Sequence, residues 1–228
     1  MTAKIFKSLC GNSRKWNTDH VAQTTIQGSP LYIVCDGVQS NPECGQLVRA
    51  FCREICSQKQ PVVGKEGSIE PELRDWFARV AKNLKGNNLD NFSFCVAAAF
   101  IHNDRLYTVH AGDCRVGKVT SKGIEWLTID HVPALQRYKA GKLSKTEYAE
   151  QRNKVAGWIK PTDTSSLEVN GFEYGGEQLL LCSDGFWNYA DESRFLDGGV
   201  SEVELLEEVR RIESLGEDNL SVIFIDSK

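Results

Sequence analysis

Short apolar runs, rich in β-branched residues and separated by turn residues, are the feature that most constrains how this chain can fold. They have the length of strands and are too short to span a membrane as helices. They predict strands at residues 21–26, 31–35, 94–101, 106–111, 116–119, 124–129, 178–182 and 220–225. Turn signals at Asn103-Asp104, Asn170-Gly171 and residues 121–123 predict hairpins. Strands joined in this way pair antiparallel.

Helical spacing of apolar residues predicts helices at residues 46–56, 70–84 and 202–212. Because few strands are joined by helical crossovers, an α+β fold with antiparallel sheets and flanking helices is favoured over a doubly wound parallel sheet. A chain of 228 residues with 41% apolar content is expected to form one domain, 1–228. Residues 130–160 are polar and helix-prone, with a break at Gly141, and are predicted to be an inserted surface element.

Composition excludes several classes of partner and of site. The net charge of -4 offers no basic surplus for nucleic acid or an anionic membrane surface. Residues 1–11 lack the apolar segment of a secretory signal, so we expect a cytoplasmic protein. Its eight cysteines are then expected to be reduced. Cys44, Cys52 and Cys56 lie close together but lack Cys-x-x-Cys spacing, which leaves a metal site there as a minor alternative.

Four aspartates lie at the margins of predicted strands. Two apolar runs end in Asp36-Gly37 and Asp184-Gly185, a third ends in Gly112-Asp113, and Asp218 precedes the last strand. Any one of these is ordinary turn chemistry. If the margins converge, however, the carboxylates repel one another unless a cation neutralises them. Oxygen ligands without His or Cys favour Mg²⁺ or Mn²⁺.

The segment before the first of these runs carries Arg14 and Asp19. A guanidinium is suited to bidentate recognition of phosphate. An ordinary solvated loop is the alternative for this segment on its own.

In chain order, these residues resemble the metal-dependent protein phosphatases (PPM family, type 2C serine/threonine class), in their compact bacterial form. The matching motifs span nearly the whole chain. They are Arg14-x-x-Asn17-x-Asp19, Val34-Cys35-Asp36-Gly37, His110-Ala111-Gly112-Asp113-Cys114-Arg115, Leu127-Thr128-Ile129-Asp130-His131, Cys182-Ser183-Asp184-Gly185-Phe186-Trp187 and Glu217-Asp218-Asn219-Leu220-Ser221-Val222-Ile223. Residues 139–143 and the Glu-rich helix after them are similar to the flap of that class.

The resemblance implies a four-layer α-β-β-α sandwich of two antiparallel sheets, with two or three Mn²⁺ or Mg²⁺ ions at one end. The implied catalytic residues are Arg14, which binds the substrate phosphate, and Asp36, which bridges two metals. The implied metal ligands are Asp36, the carbonyl of Gly37, Asp184 with Asp218, Asp113 with Asp184 for a third and weaker ion, and Asp19 through water.

The implied function is hydrolysis of phosphoserine and phosphothreonine in proteins by a metal-activated water. The expected partners are a phosphorylated protein, a Ser/Thr kinase or its targets, and the expected state is a monomer. Val38 follows Asp36-Gly37 where many members of the class have histidine, so no histidine acid is available there. The alternative is a catalytically weak type 2C-like domain that acts as a phosphoprotein-binding or regulatory module.

Other enzyme classes fit the chain less well. None of the eight cysteines has an arginine six positions later, as the phosphate loop of a thiol phosphatase requires. Neither of the glycine-rich patterns typical of nucleotide-binding loops is present.

Overall fold

Two five-stranded antiparallel sheets form the centre of the protein. The computed structural model describes residues 2–61, 69–86, 88–196 and 199–226. The strands are β1 (Thr2–Leu9), β2 (His20–Ile26), β3 (Ser29–Gly37), β4 (Phe94–His102), β5 (Arg105–Ala111), β6 (Arg115–Thr120), β7 (Gly123–Trp126), β8 (Glu168–Glu173), β9 (Leu179–Cys182) and β10 (Leu220–Asp226). One sheet has the order β1-β10-β9-β6-β7, and the other has the order β2-β3-β4-β5-β8.

Helices cover the outer face of each sheet. The helices of the described residues are α1 (Pro42–Ser57), α2 (Glu70–Asn83), α3 (Pro133–Lys139), α4 (Lys145–Gln151), α5 (Asp184–Trp187) and α6 (Glu202–Leu215), with a short 3-10 helix at Glu192–Phe195. α1 and α2 pack on the sheet that contains β3, and α6 packs on the sheet that contains β10. The predicted α+β, four-layer sandwich is confirmed. Among the described residues, no helix has the length and apolar character needed to cross a membrane.

The strand β3 shows why the central strands appear as continuous apolar runs in the sequence. Its odd-numbered residues from Leu31 to Cys35 pack against α1 and α2, whereas Tyr32 and Val34 pack against the other sheet. Both faces are therefore buried, and the strand lacks the alternation of a half-exposed one. The same burial explains why most predicted strands and all three predicted helices are confirmed within a few residues.

Two local predictions were wrong, and two strands, β1 and β8, were not predicted. Asn170-Gly171 lies inside β8, paired with Thr108 and Tyr107, and is not a turn. The strand predicted at 124–129 ends at Trp126, and Ile129 is 62% exposed. β1 was not predicted, because its sequence is polar and basic; it is an edge strand whose pairing with β10 supplies the order.

The turn from β9 into α5 requires glycine at position 185. A Cβ atom there would lie 1.9 Å from the carbonyl oxygen of Asn219, where no side-chain atom fits. We expect Gly185→Ala to lower the free energy of unfolding by about 3 kcal/mol, because the backbone next to Asp184 must move. Urea denaturation checks this. Gly175→Ala, whose nearest neighbour atom is 3.8 Å away, is the matched control and should change stability by less than about 0.5 kcal/mol.

Candidate active site

One end of the sandwich gathers the aspartates at the strand margins. Asp36 and Gly37 end β3, Asp184 begins α5 directly after β9, and Asp218 precedes β10. Asp113 lies in the turn that carries the chain from β5 in one sheet to β6 in the other. These residues and Arg14 line a single cavity of about 200 Å³.

The structure thus brings together five of the six predicted metal-binding residues and the predicted phosphate-binding arginine. Asp19 does not line the cavity, but it lies within hydrogen-bonding reach of Asp36 and so belongs to the same group of carboxylates. It lies behind it, 3% exposed, and its Oδ2 accepts a 2.8 Å hydrogen bond from Ser183 Oγ. The roles of all these residues in binding metal and phosphate stay predictions.

Burial makes the carboxylates of this site poor acids. It raises the pKa of Asp19 and that of Asp113 to about 7, and the nearby Asp184 contributes to the shift of Asp113. Burial also raises the pKa of Asp184 to about 6, with a further contribution from Asp218. The pKa of Asp36 is raised well above its ordinary value by burial and by its carboxylate neighbours. A divalent cation would remove both causes, because it replaces the lost hydration and neutralises the repulsion. The residues present therefore fit a centre of oxygen-liganded divalent ions.

Arg14 and Asp218 hold each other in a bidentate ion pair. Arg14 Nε donates to Asp218 Oδ1 at 2.7 Å, and Nη2 donates to Oδ2 at 2.6 Å. The remaining guanidinium nitrogen, Nη1, donates to Ser40 Oγ at 2.8 Å. The two residues were predicted to bind different groups, phosphate and metal. In this arrangement they satisfy each other, so binding of either group has to compete with the ion pair.

Sequence reasoning missed several residues of the cavity wall. Cys95 faces the cavity next to Asp113, and a hydrogen bond between the two lowers the pKa of that carboxyl. Arg152 and Val155 reach the cavity from the segment after α4. The one available signal for Cys95 was its position in β4 opposite Asp36, and that register is visible only in the folded sheet.

The predicted surface element, residues 130–160, is anchored beside the cavity. Asp130 accepts two hydrogen bonds, at 2.8 and 2.6 Å, from Arg115, whose guanidinium also stacks 3.5 Å from the centre of the Trp187 ring. The helices α3 and α4 follow, separated by Gly141 at a positive φ of 69° as predicted. Beyond the contact between Asp130 and Arg115, the described residues of the element form a small apolar cluster of their own around Val132, Ala134 and Leu143.

Comparison with known proteins gives a consistent picture. No protein-family model matches the chain. Protein phosphatase PhpP of Streptococcus pneumoniae is 27% identical over an alignment 235 positions long, which covers 94% of this chain and 93% of that protein. Serine/threonine phosphatase Stp1 of Staphylococcus aureus superimposes with a TM-score of 0.83 at 19% identity, covering 97% and 93% of the two chains. The catalytic domain of the serine/threonine protein phosphatase PstP, solved in complex with two manganese ions, has a TM-score of 0.71 at 20% identity and covers 97% and 96% of the chains.

The similarity in sequence and the similarity in fold both extend over nearly the whole chain. Independently of these similarities, the cavity is lined by the aspartates of the motifs identified in the sequence. In sequence and in fold, the chain is similar to serine/threonine protein phosphatases, including a type 2C relative.

Proposed function

We propose that this protein is a serine/threonine phosphoprotein phosphatase that depends on divalent metal ions. The observation that carries the proposal is the set of buried carboxylates around one cavity, whose raised pKa values reflect both burial and mutual repulsion. Such a set binds small hard cations well. Relatives named as protein phosphatases over almost the full length support the reaction class.

The proposed cofactors are two or three Mn²⁺ or Mg²⁺ ions per chain. Asp36 and the Gly37 carbonyl would hold them at the end of β3, Asp184 with Asp218 from the other sheet, and Asp113 with Asp184 for a third ion. When bound, such ions lower the pKa of coordinated water, so that hydroxide is available at neutral pH, and they withdraw charge from phosphoryl oxygens. The complex of the structural neighbour PstP with two manganese ions supports this metal and number.

The chain's own residues would position the phosphate and the carboxylates. Arg14 is placed to donate two hydrogen bonds to phosphate oxygens and to offset charge in the transition state. Asp19 and Ser183 brace the end of β9 behind Asp184 through their 2.8 Å hydrogen bond. Val38, 42% exposed at the cavity wall, offers no proton to the leaving alkoxide, which is consistent with a water acting as the acid.

The proposed organisation is one domain, 1–228, with residues 130–160 as a flap beside the active site. Arg152 and Val155 in the cavity wall support the flap. The proposed partners are a Ser/Thr kinase or its targets as phosphorylated substrates, and the protein is proposed to act as a monomer. The cytoplasm is the proposed location; all eight cysteines lie in the described segments as free thiols, which suits a reducing compartment.

Release of phosphate from a phosphothreonine peptide tests the proposal. We expect release with Mn²⁺ or Mg²⁺, none with EDTA, and little from a phosphotyrosine peptide. Tight binding of the phosphothreonine peptide without turnover at any metal concentration would instead support the regulatory alternative.

Arg14→Lys tests the proposed phosphate-binding residue. We expect kcat/KM for the phosphothreonine peptide to fall about 10- to 100-fold, because lysine keeps the positive charge but cannot make the bidentate hydrogen bonds to phosphate. Steady-state kinetics check this. Arg74→Lys, on the exposed face of α2, is the control and should leave kcat/KM unchanged. An unchanged kcat/KM in Arg14→Lys would remove Arg14 from substrate binding.

A further inference from the structure

A second group of metal-ligating side chains lies outside the aspartate cavity. They are His110 in β5, His131 at the start of the flap, directly after Asp130, and Glu168 at the start of β8. Each offers one ligand atom, and these atoms all lie within 4.8 Å of one another. His110 and Glu168 face each other across neighbouring strands. The His131 ring meets the His110 ring edge-on, with ring centres 4.7 Å apart. Three elements of the chain therefore converge on one point.

The His110 ring is the main sign that a ligand belongs at this point. The residue is 1% exposed, and neither ring nitrogen has a well-directed hydrogen-bond partner in the described part of the chain. A buried polar group without a partner is unfavourable and rare. The nearby carbonyl groups of Gly112 and Cys114 favour the protonated ring, but burial dominates and lowers the pKa of His110 to about 3. The ring is therefore neutral, which is the form that binds metals.

The donor set differs in kind from that of the aspartate cavity. Two imidazoles and one carboxylate are typical zinc ligands, whereas carboxylates alone favour Mg²⁺ or Mn²⁺. His131 Nε2 and Glu168 Oε1 are 3.3 Å apart, which fits the roughly 3.4 Å between ligands bonded at about 2.0–2.1 Å to a tetrahedral zinc ion. The two remaining ligand separations, of up to 4.8 Å, have to shorten by as much as about 1.4 Å to reach this value. The Glu168 side chain, 55% exposed, is free to make the part of this movement that involves it.

Access and a further ligand position are available from solvent. His131 and Glu168 line an open surface depression whose wall also includes Gln136 and Ser165. An ion at the three side chains would thus be reached from this side and could keep a water as its fourth ligand, as three-ligand zinc sites commonly do.

One hydrogen bond has to change for the ion to bind. Gly112 N–H donates to His131 Nδ1 at 3.3 Å, which leaves the proton of the neutral ring on Nε2, facing Glu168. For His131 to bind the ion through Nε2, the ring has to carry its proton on Nδ1 instead. Alternatively, the ring has to flip so that the two nitrogens exchange places. The bond given up is long, and its loss is small beside the binding free energy of a zinc site.

We propose that His110, His131 and Glu168 form a zinc site separate from the ions of the aspartate cavity. The ion would link the start of the flap, at His131, to β5 and β8. Its ligand His110 lies close to Asp113 in the sequence, but the two sites would share no ligand.

Zinc binding in the presence of excess magnesium, which occupies the aspartate cavity, tests this site. We expect one zinc ion per chain by elemental analysis after gel filtration, and cobalt-substituted protein should show the visible absorption of a tetrahedral site. His110→Asn and Glu168→Gln should weaken zinc binding at least about 10- to 100-fold. If the buried His110→Asn variant is unstable, Glu168→Gln provides the test, because the Glu168 side chain is exposed. His102→Asn and Glu173→Gln, matched changes elsewhere on β4 and β8, should bind zinc as the unchanged protein does.

The aspartate cavity and its thiol provide the decisive contrast. Zinc binding should survive in an Asp36→Asn, Asp184→Asn double variant and in Cys95→Ser, whatever their phosphatase activity. Zinc that is lost in these variants but kept in Glu168→Gln would overturn the proposal, and so would the absence of a bound zinc ion under excess magnesium.

Discussion

Asp36→Asn is expected to reduce kcat for the phosphothreonine peptide by about 1,000-fold or more while making the metal-free protein more stable. The first effect follows from the proposed role of Asp36 as a metal ligand, because an amide would hold the cations poorly and the charge stabilisation that they would supply would be lost. The second follows because burial and neighbouring carboxylates raise the pKa of Asp36, so that its charge opposes folding when no cation is bound. An active site that is destabilised for function is a common compromise.

Two measurements separate these effects from misfolding. Thermal denaturation in EDTA should show a higher midpoint for Asp36→Asn than for the unchanged protein, and calorimetry should show the loss of manganese binding. Asp75→Asn, the same chemical change on the exposed face of α2, should alter neither kcat nor stability. Full activity in Asp36→Asn would contradict the assignment of this residue.

The stability of the metal-free protein is expected to fall as the pH rises from 6.5 to 8. Asp19, Asp113 and Asp184 have folded pKa values of about 6 to 7, above the ordinary 3.8, so the folded protein binds more protons than the unfolded chain. Their stabilising protonation is complete below about 3.8 and is lost as the pH passes through 6 and 7. A tenfold change in an acid dissociation constant corresponds to about 1.4 kcal/mol, which makes the total effect on the order of a few kcal/mol.

Groups with the opposite sign affect only the lower part of this window. Burial lowers the pKa values of His110 and His20, so their contribution to stability grows with pH until the unfolded chain has lost these protons, at about pH 7.5. Urea denaturation in EDTA, repeated across the window, should show the decline. Saturating manganese should abolish it, and Asp184→Asn should reduce the slope in EDTA. A flat profile in EDTA would mean that the aspartates are already ionised without metal.

Strand and helix positions were largely predictable because their signals are local. Buried central strands such as β3 need apolar side chains at every position, and turn residues such as Asn103-Asp104 take up the positive φ angles that the chain reversal needs. β1 gave no such signal, since its stability comes from hydrogen bonds to β10 rather than from its own side chains.

Asn170-Gly171 shows where the local signal misled. The dipeptide is typical of a two-residue hairpin, but antiparallel pairing with β5 outweighs that preference and keeps both residues extended. A Cβ atom at Gly171 would lie 2.6 Å from Glu70 Oε1, so the end of this α2 side chain occupies the space beside the glycine.

Local patterns in the chain were enough to specify the kinds of layer and the aspartates that border the cavity, because hydrophobic period and strand-end residues are properties of short segments. Which side chains meet depends instead on how the layers assemble. Assembly pairs Arg14 with Asp218 across 204 residues of chain, places Cys95 beside Asp113, and brings His110 to His131 and Glu168. These contacts follow from sheet register and from the packing of one sheet over the other, which no short segment encodes.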